Sequence, residues 1–382
     1  MLLNSTLYKR GNFDEIHRVY RGQITCLELH FYYLYLATTA MRSNQVTIKD
    51  IARELGVSPS TVSRAMKDHP DISPSTKQQV RELVEKLKYK PNAIALSLRS
   101  RKSNTIALIV PEIVHHFFSS VISGIEDVAQ EAGYNVMIFQ SNESYDREVA
   151  IAQSLASIQV DGILVSIAKT SLKYGHFAEL MKEGMPLVFF DRACDQIETD
   201  RVIVDDFNAA FHAVEYLIQT GCRRIAHFSA PQHLQIGYQR KRGYISALEK
   251  HGIEVRDELM VKCDTLQEAL EITPQIMRLN NPPDAIFTVN DLTASGVLKV
   301  LKQLRFRIPE DVSVIGFTDG LVATVTDPAL TSVNQHGYEM GKRSMSMLLK
   351  RLDVLEEDHP ANTEIIPTEL VVRESTRPLP AS

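Results

Sequence analysis

Between Thr47 and Met66 the apolar residues fall at helical spacing in two short blocks divided by a glycine, which confines this stretch to two helices around a tight turn. Thr47 with Asp50 three residues on is a capping signal, and Ile48, Ile51, Ala52 and Leu55 then share one face. Gly56 ends the first helix. Ser58 and Pro59 signal the cap and first turn of a second, whose Val62, Ala65 and Met66 face the first while Ser60, Thr61 and Arg64 point outward. A third helix opens at Ser73-Pro74 and carries Val80, Leu83, Val84 and Leu87 on one face, enough to close a three-helix core. Outward hydroxyls with an arginine are what phosphates and base edges require, so the pattern implies a DNA-reading head. A plain helical hairpin packed on another domain is the bland alternative.

Beyond the third helix come Tyr89, Pro91, the short stretch Asn92 to Leu98, and the basic run Arg99-Ser100-Arg101-Lys102. The order of these elements resembles the LacI/GalR family of bacterial transcription regulators, and the resemblance runs from about Gln45 to Arg377. It implies an extension over 1–44, a helix-turn-helix domain over 45–90, a hinge helix and linker over 91–104, and a two-lobed effector-binding and dimerisation domain over 105–382. It also implies that two hinge helices lie side by side in the DNA minor groove, with Leu98 wedged between base steps. So short a helix is marginal alone and is expected to fold only with DNA and a partner hinge present. A plain interdomain linker is the other reading. The candidate DNA contacts are Thr47, Ser58, Pro59, Ser60, Thr61, Ser63, Arg64, Ser73, Thr76 and Tyr89 on the head, with Asn92, Ala95 and Leu98 on the hinge.

Charge is distributed in agreement with a DNA-binding head. Gln45 to Ser103 holds 12 Lys and Arg against 6 Asp and Glu, whereas 104–382 holds 25 against 38, so a basic head sits on an acidic body although the whole chain is at −5. Cys26, Cys194, Cys222 and Cys263 are scattered with no Cys-x-x-Cys pair, a reduced, cytoplasmic pattern.

From Thr105 onward short strands alternate with amphipathic helices, which implies parallel sheets. Strands are expected at Ile106 to Val110, Val136 to Phe139, Gly162 to Ser166, Leu187 to Phe190, Val202 to Val204, Ile225 to Phe228, Ala285 to Val289 and Val312 to Phe317, with a helix from about Phe118 to Ala132. The fold class is thus an all-α helix-turn-helix head plus an α/β body of two doubly wound sheets. The family resemblance implies two Rossmann-like subdomains, similar to periplasmic sugar-binding proteins, joined by crossings near Asp205, Asn334 and Glu364.

Ligands of such sheets bind beyond the carboxyl ends of the strands. Those ends carry Pro111 to Phe118, Asp191-Arg192, Ser229 leading to Arg240, Asn290-Asp291 and Thr318-Asp319, five loops expected to converge on one cleft. The resemblance points to Asp191 and Arg240 as bidentate effector contacts and to Asn290 or Asp291 as an amide or carboxylate contact. His115, Arg192 and Asp319 complete the candidates, and Phe117 and Phe118 offer an apolar wall. Where the family often has aromatic-Asp-Asp, this chain has Phe317-Thr318-Asp319, which puts one sugar contact in doubt. An Asp facing an Arg suits neighbouring sugar hydroxyls, so a carbohydrate or derivative is the first choice. An Arg240 not neutralised by Asp191 favours an acidic sugar or sugar phosphate instead. Read blandly, Asp191 is a turn former and Arg240 a surface cation. Adjacent His115 and His116 point opposite ways and lack an evident third metal ligand.

Gly-x-Gly-x-x-Gly, the P-loop and a nucleophile elbow are all missing, so neither a cofactor nor an enzyme is expected. The leading reading is a ligand-responsive, sequence-specific regulator, a repressor in kind, cytoplasmic, homodimeric and bound to a palindromic operator. Its rival is a solute-binding receptor or transport component that uses the body alone. No heptad follows Arg377 to zip dimers into tetramers. Residues 24–40 form an apolar patch too short and polar for a membrane span, and Met41 is expected to be the true start.

Overall fold

The computed structural model describes residues 46–89, 102–353 and 360–380. Asn92, Ala95 and Leu98 of the expected hinge, and the expected extension over 1–44, lie outside the described residues. The helical head and the α/β body are separate compact units.

In the head, α1 spans Ile48–Glu54, α2 Pro59–Met66 and α3 Pro74–Lys86. Asp50 closes the start of α1 by accepting from the Thr47 amide at 3.0 Å and its hydroxyl at 2.6 Å. Gly56 turns the chain at φ +66°, where a Cβ would be strained. Ser58 Oγ then accepts the Thr61 amide at 3.1 Å, and Ser73 Oγ accepts that of Thr76 at 3.2 Å. Each such cap is worth about 1 kcal/mol. Ile51, Ala52, Val62, Ala65, Val80 and Leu83 form the buried core, with Tyr89 packed against it.

The first lobe of the body runs β1 (Thr105–Val110), α4 (His116–Glu131), β2 (Asn135–Gln140), α5 (Tyr145–Ser157), β3 (Gly162–Val165), α6 (Gly175–Lys182), β4 (Leu187–Phe190) and β5 (Asp200–Val204). The second runs α7 (Asp206–Gln219), β6 (Ile225–Ser229), α8 (Gln235–Lys250), β7 (Met260–Lys262), α9 (Leu266–Ile276), β8 (Ala285–Thr288), α10 (Asp291–Gln303), β9 (Ser313–Thr318), α11 (Leu321–Val325) and β10 (Thr331–Asn334). The chain then returns to the first lobe as α12 (Gly337–Asp353) and β11 (Thr363–Ile366), and ends in the second as β12 (Glu369–Val371). Sheet order is β11-β5-β4-β3-β1-β2 in one lobe and β12-β10-β9-β8-β6-β7 in the other.

The lobes are therefore joined where the sequence placed the first two crossings, but the third falls after Ile366, slightly beyond Glu364. Parallel pairing holds throughout except at β12, which runs antiparallel to β10. The helix expected from Phe118 starts two residues earlier, at His116. Strands β7, β10, β11 and β12 were missed because each is three or four residues long and none presents a continuous apolar run.

Helices α4 and α12 meet at backbone distance. A Cβ on Gly124 would come 2.1 Å from the Tyr338 carbonyl oxygen, and one on Gly341 would come 2.1 Å from that of Val121. Leu234 and Ile236, from the second lobe, are buried in the first lobe's core beside Ala193, Cys194 and Ile197. The two lobes thus share apolar packing.

Candidate DNA-reading face and effector cleft

On the head, Ser58, Pro59, Ser60 and Arg64 are exposed, while Val62 and Ala65 on the opposite side of α2 are buried. The Arg64 side chain has no ion-pair partner among the described residues, so its fork is available to a base edge or a phosphate. Ser58 is partly committed, since its Oγ lies 2.7 Å from Ser60 Oγ and 2.8 Å from Thr61 Oγ1. Ser73 and Thr76 are tied to one another in the same way at 2.8 Å.

In the body the five loops do converge. The Arg192 guanidinium stands 5.9 Å from the Phe118 ring centroid, and Phe117 packs edge-on against Phe118 at 5.3 Å. Arg192 donates to both oxygens of Glu143, at 2.9 and 2.8 Å. Asp191, beside it, is buried in a left-handed backbone conformation at φ +56°. Among the described residues its side chain has only the Ser166 hydroxyl at 3.5 Å and Arg192 Nε at 3.9 Å. Burial pushes its carboxyl up to about 6, against the pull of Arg192 and Arg240.

Arg240 does not pair with Asp191. Its Nε donates to Asp206 Oδ1 at 2.7 Å, its Nη1 donates to the Val289 carbonyl at 2.7 Å, and its guanidinium lies 3.6 Å from the Phe317 ring centroid. It is thus a buried, stacked and neutralised cation rather than a surface one. Burial raises the Asp206 carboxyl even with Arg240 beside it.

Asn290 caps α10, accepting the Thr293 amide at 2.8 Å, and donates to the Asp264 carbonyl at 2.9 Å. Asp291 accepts from Ser332 Oγ at 2.5 Å and from the Gly320 amide at 2.9 Å, and burial pushes its carboxyl up to about 6. Both side chains are therefore occupied in holding the loops together. Asp319 forms an ion pair with Arg373 at 2.7 Å. His115 is paired with Glu112 at 2.6 Å, while His116 lies against Gly320, where an added Cβ would come 3.2 Å from the ring. Thr318 donates to Gln335 Oε1 at 3.2 Å.

Sequence reasoning missed Glu143 and Asp206. The signal for Asp206 was available: a buried arginine needs an acid, and Asp205-Asp206 opens a helix directly after a strand.

Residues 47–92 match the profile of bacterial regulatory proteins of the lacI family, and residues 214–376 match a periplasmic binding protein-like domain. Over 334 residues the chain is 34% identical to catabolite control protein A of Priestia megaterium, covering 87% of this chain and 99% of that one. The chain belongs to the LacI family. It is 32% identical over 336 residues to the transcriptional repressor CytR of Escherichia coli strain K12, covering 87% and 97% respectively. Among solved structures, a complex of the transcriptional regulator CelR with cellobiose superposes with a TM-score of 0.67 at 28% identity, covering 87% of this chain and all of that one. As a LacI-family protein with a helix-turn-helix head, the chain is a DNA-binding transcription regulator. Among the described residues no helix is long and apolar enough to cross a membrane.

Proposed function

We propose that this LacI-family regulator is a cytoplasmic homodimer that represses from a palindromic operator and responds to a neutral, hydroxyl-rich effector, a carbohydrate or derivative, bound between the lobes. The observation that carries the effector class is the unequal satisfaction of the cleft acids. Arg240 is neutralised by Asp206 and Arg192 by Glu143, whereas Asp191 keeps only long contacts. A ligand that donates hydroxyl hydrogens to Asp191 fits this arrangement, and an anionic one meets Arg192 and Arg240 with their charges already paired. The cellobiose held by the CelR relative is of the favoured chemistry.

Dimerisation is supported by large apolar side chains left exposed on the body. Val114 is 84% exposed, Leu321 61% and Val325 69%, and the edge strand β2 adds Met137 and Ile138. Where such groups lie together they mark a protein interface.

The test is a thermal-shift screen of the full chain against cellobiose, ribose, other neutral sugars, uronic acids and sugar phosphates. At 100 times its dissociation constant a true effector stabilises by about 2.7 kcal/mol. It must also alter affinity for a duplex that the full chain selects from a random-sequence pool. A response confined to the phosphates and uronic acids overturns the neutral-ligand reading.

A further inference from the structure

The point where the chain leaves the linker and enters the body is gripped by one carboxylate. Asp161 Oδ1 accepts from the Ser103 amide at 2.7 Å and the Ser103 hydroxyl at 2.9 Å, and Oδ2 accepts from the Asn104 amide at 2.9 Å. The Asp161 amide returns a bond to the Thr105 carbonyl at 2.8 Å. Asn104 is held left-handed, at φ +48°, between these contacts.

Asp161 directly precedes β3, and the far end of β3 lies at the cleft. There the Ile167 amide donates to the Arg192 carbonyl at 3.2 Å and Ser166 Oγ reaches Asp191. Two carboxylates fix the next turn: Glu148 accepts the Ala168 amide at 2.6 Å and Glu143 the Lys169 amide at 2.7 Å. From that turn Lys169 crosses to the second lobe. Its Nζ pairs with Asp264 at 2.8 Å, and its carbonyl accepts from His233 Nε2 at 2.7 Å. Between the two ends, β3 is wholly buried and hydrogen-bonded to β1 on one side and β4 on the other. At about 3.3 Å per residue it spans roughly 13 Å. A strand packed on both faces and bonded along both edges moves as a piece, because the interior around it has no room for it to bend.

We propose that β3 is a lever connecting lobe closure to the linker, with Asp161 as the positioning residue at the linker end and the Lys169–Asp264 ion pair as the grip on the opposite lobe. This deepens the regulator reading above and rests on it. Opening the lobes pulls Lys169, tilts β3 together with the β1 and β4 strands bonded to it, and moves the residues that Asp161 holds.

The test is a double-mutant cycle on the full chain with K169M, D161N and the pair. Sites this far apart act additively unless something rigid joins them. With the lever, K169M changes affinity for the selected duplex at least threefold in the native background and has no further effect on D161N. A K169M effect that is absent, or that persists undiminished in the D161N background, overturns the proposal. D264N breaks the same bridge from the other side and must reproduce K169M. If D161N lowers the melting temperature sharply, S103A, which removes one of the three clamp bonds, takes its place. A second arm needs no DNA: trypsin cleavage after Lys102, followed by mass spectrometry, should be at least threefold faster in K169M and D161N, with no further gain in the double variant. Cleavage unchanged by K169M sinks the lever. Failure to select any duplex would count against the regulator reading, while the protease arm still decides the lever.

Discussion

The Arg240 guanidinium stacks 3.6 Å from the centroid of the Phe317 ring, and the same side chain neutralises Asp206 across a 2.7 Å bond. Both charged groups are almost fully buried. Replacing Arg240 with Ala leaves Asp206 buried and unpaired, so it should destabilise the body by about 3–5 kcal/mol in addition to removing effector response. Replacing Arg240 with Met and Asp206 with Asn together should recover a good part of that loss. Urea denaturation of the two variants checks this. A single Arg240→Ala variant as stable as the native chain would show that the pair is not a unit.

Arg64 projects from α2 without an ion-pair partner among the described residues. Arg64→Ala should cost about 1–3 kcal/mol on the selected duplex and relax preference at one base pair per half-site. Fluorescence anisotropy against selected and scrambled duplexes separates the outcomes. An equal loss on both would make Arg64 a phosphate contact.

Asp191 supplies a pH signature. Its folded carboxyl is raised to about 6, while an unfolded Asp titrates near about 3.9. The folded state therefore binds more protons in this window, and stability falls as pH rises from about 4 through about 6. Asp191→Asn removes the penalty, so it should melt higher than the native chain at pH 8, by up to about 3 kcal/mol, with little difference near pH 4. Asp291 is raised in the same direction and is unchanged in the variant, so only the difference between the two proteins is diagnostic. An advantage that grows toward acid pH would contradict the assignment.

Gly341→Ala places a methyl against the Val121 carbonyl, 2.1 Å from its oxygen, where α4 and α12 touch. Backbone has to move, and overpacking of this kind costs about 1–3 kcal/mol or more. A melting curve indistinguishable from the native one would mean the helices are not in close contact.

Val114→Asp and Leu321→Asp each replace an exposed apolar side chain with a carboxylate. Sedimentation should show a native dimer and variant monomers at micromolar concentration, with operator affinity lost in parallel. Native chains that sediment as monomers would leave these exposed residues without their proposed role.

The head was readable almost residue by residue, since its caps, its turn glycine and its apolar faces are local signals. The central strands of the body were readable too, because strands buried on both faces are continuous apolar runs such as Leu187 to Phe190. The short strands laid down after the chain crosses between lobes were not: Thr331–Asn334 and Thr363–Ile366 owe their conformation to neighbours distant in sequence. In the cleft, the sequence placed Asp191 and Arg240 near one another, yet which acid Arg240 would take depends on a crossing that brings Asp206 beside it. Asn290 and Asp291 read as free contacts because a motif does not reveal that Asp264, Ser332 and Gly320 already occupy them.

The return of α12 and β11 to the first lobe bears on how the protein is made. That lobe cannot bury the outer edge of β5, or the face of its sheet that α12 covers, until residues 337–366 have been synthesised. A ribosome therefore releases nearly the whole chain before its first-translated lobe can be finished. The helical head, complete by residue 89, is free to form long before the body that will control it.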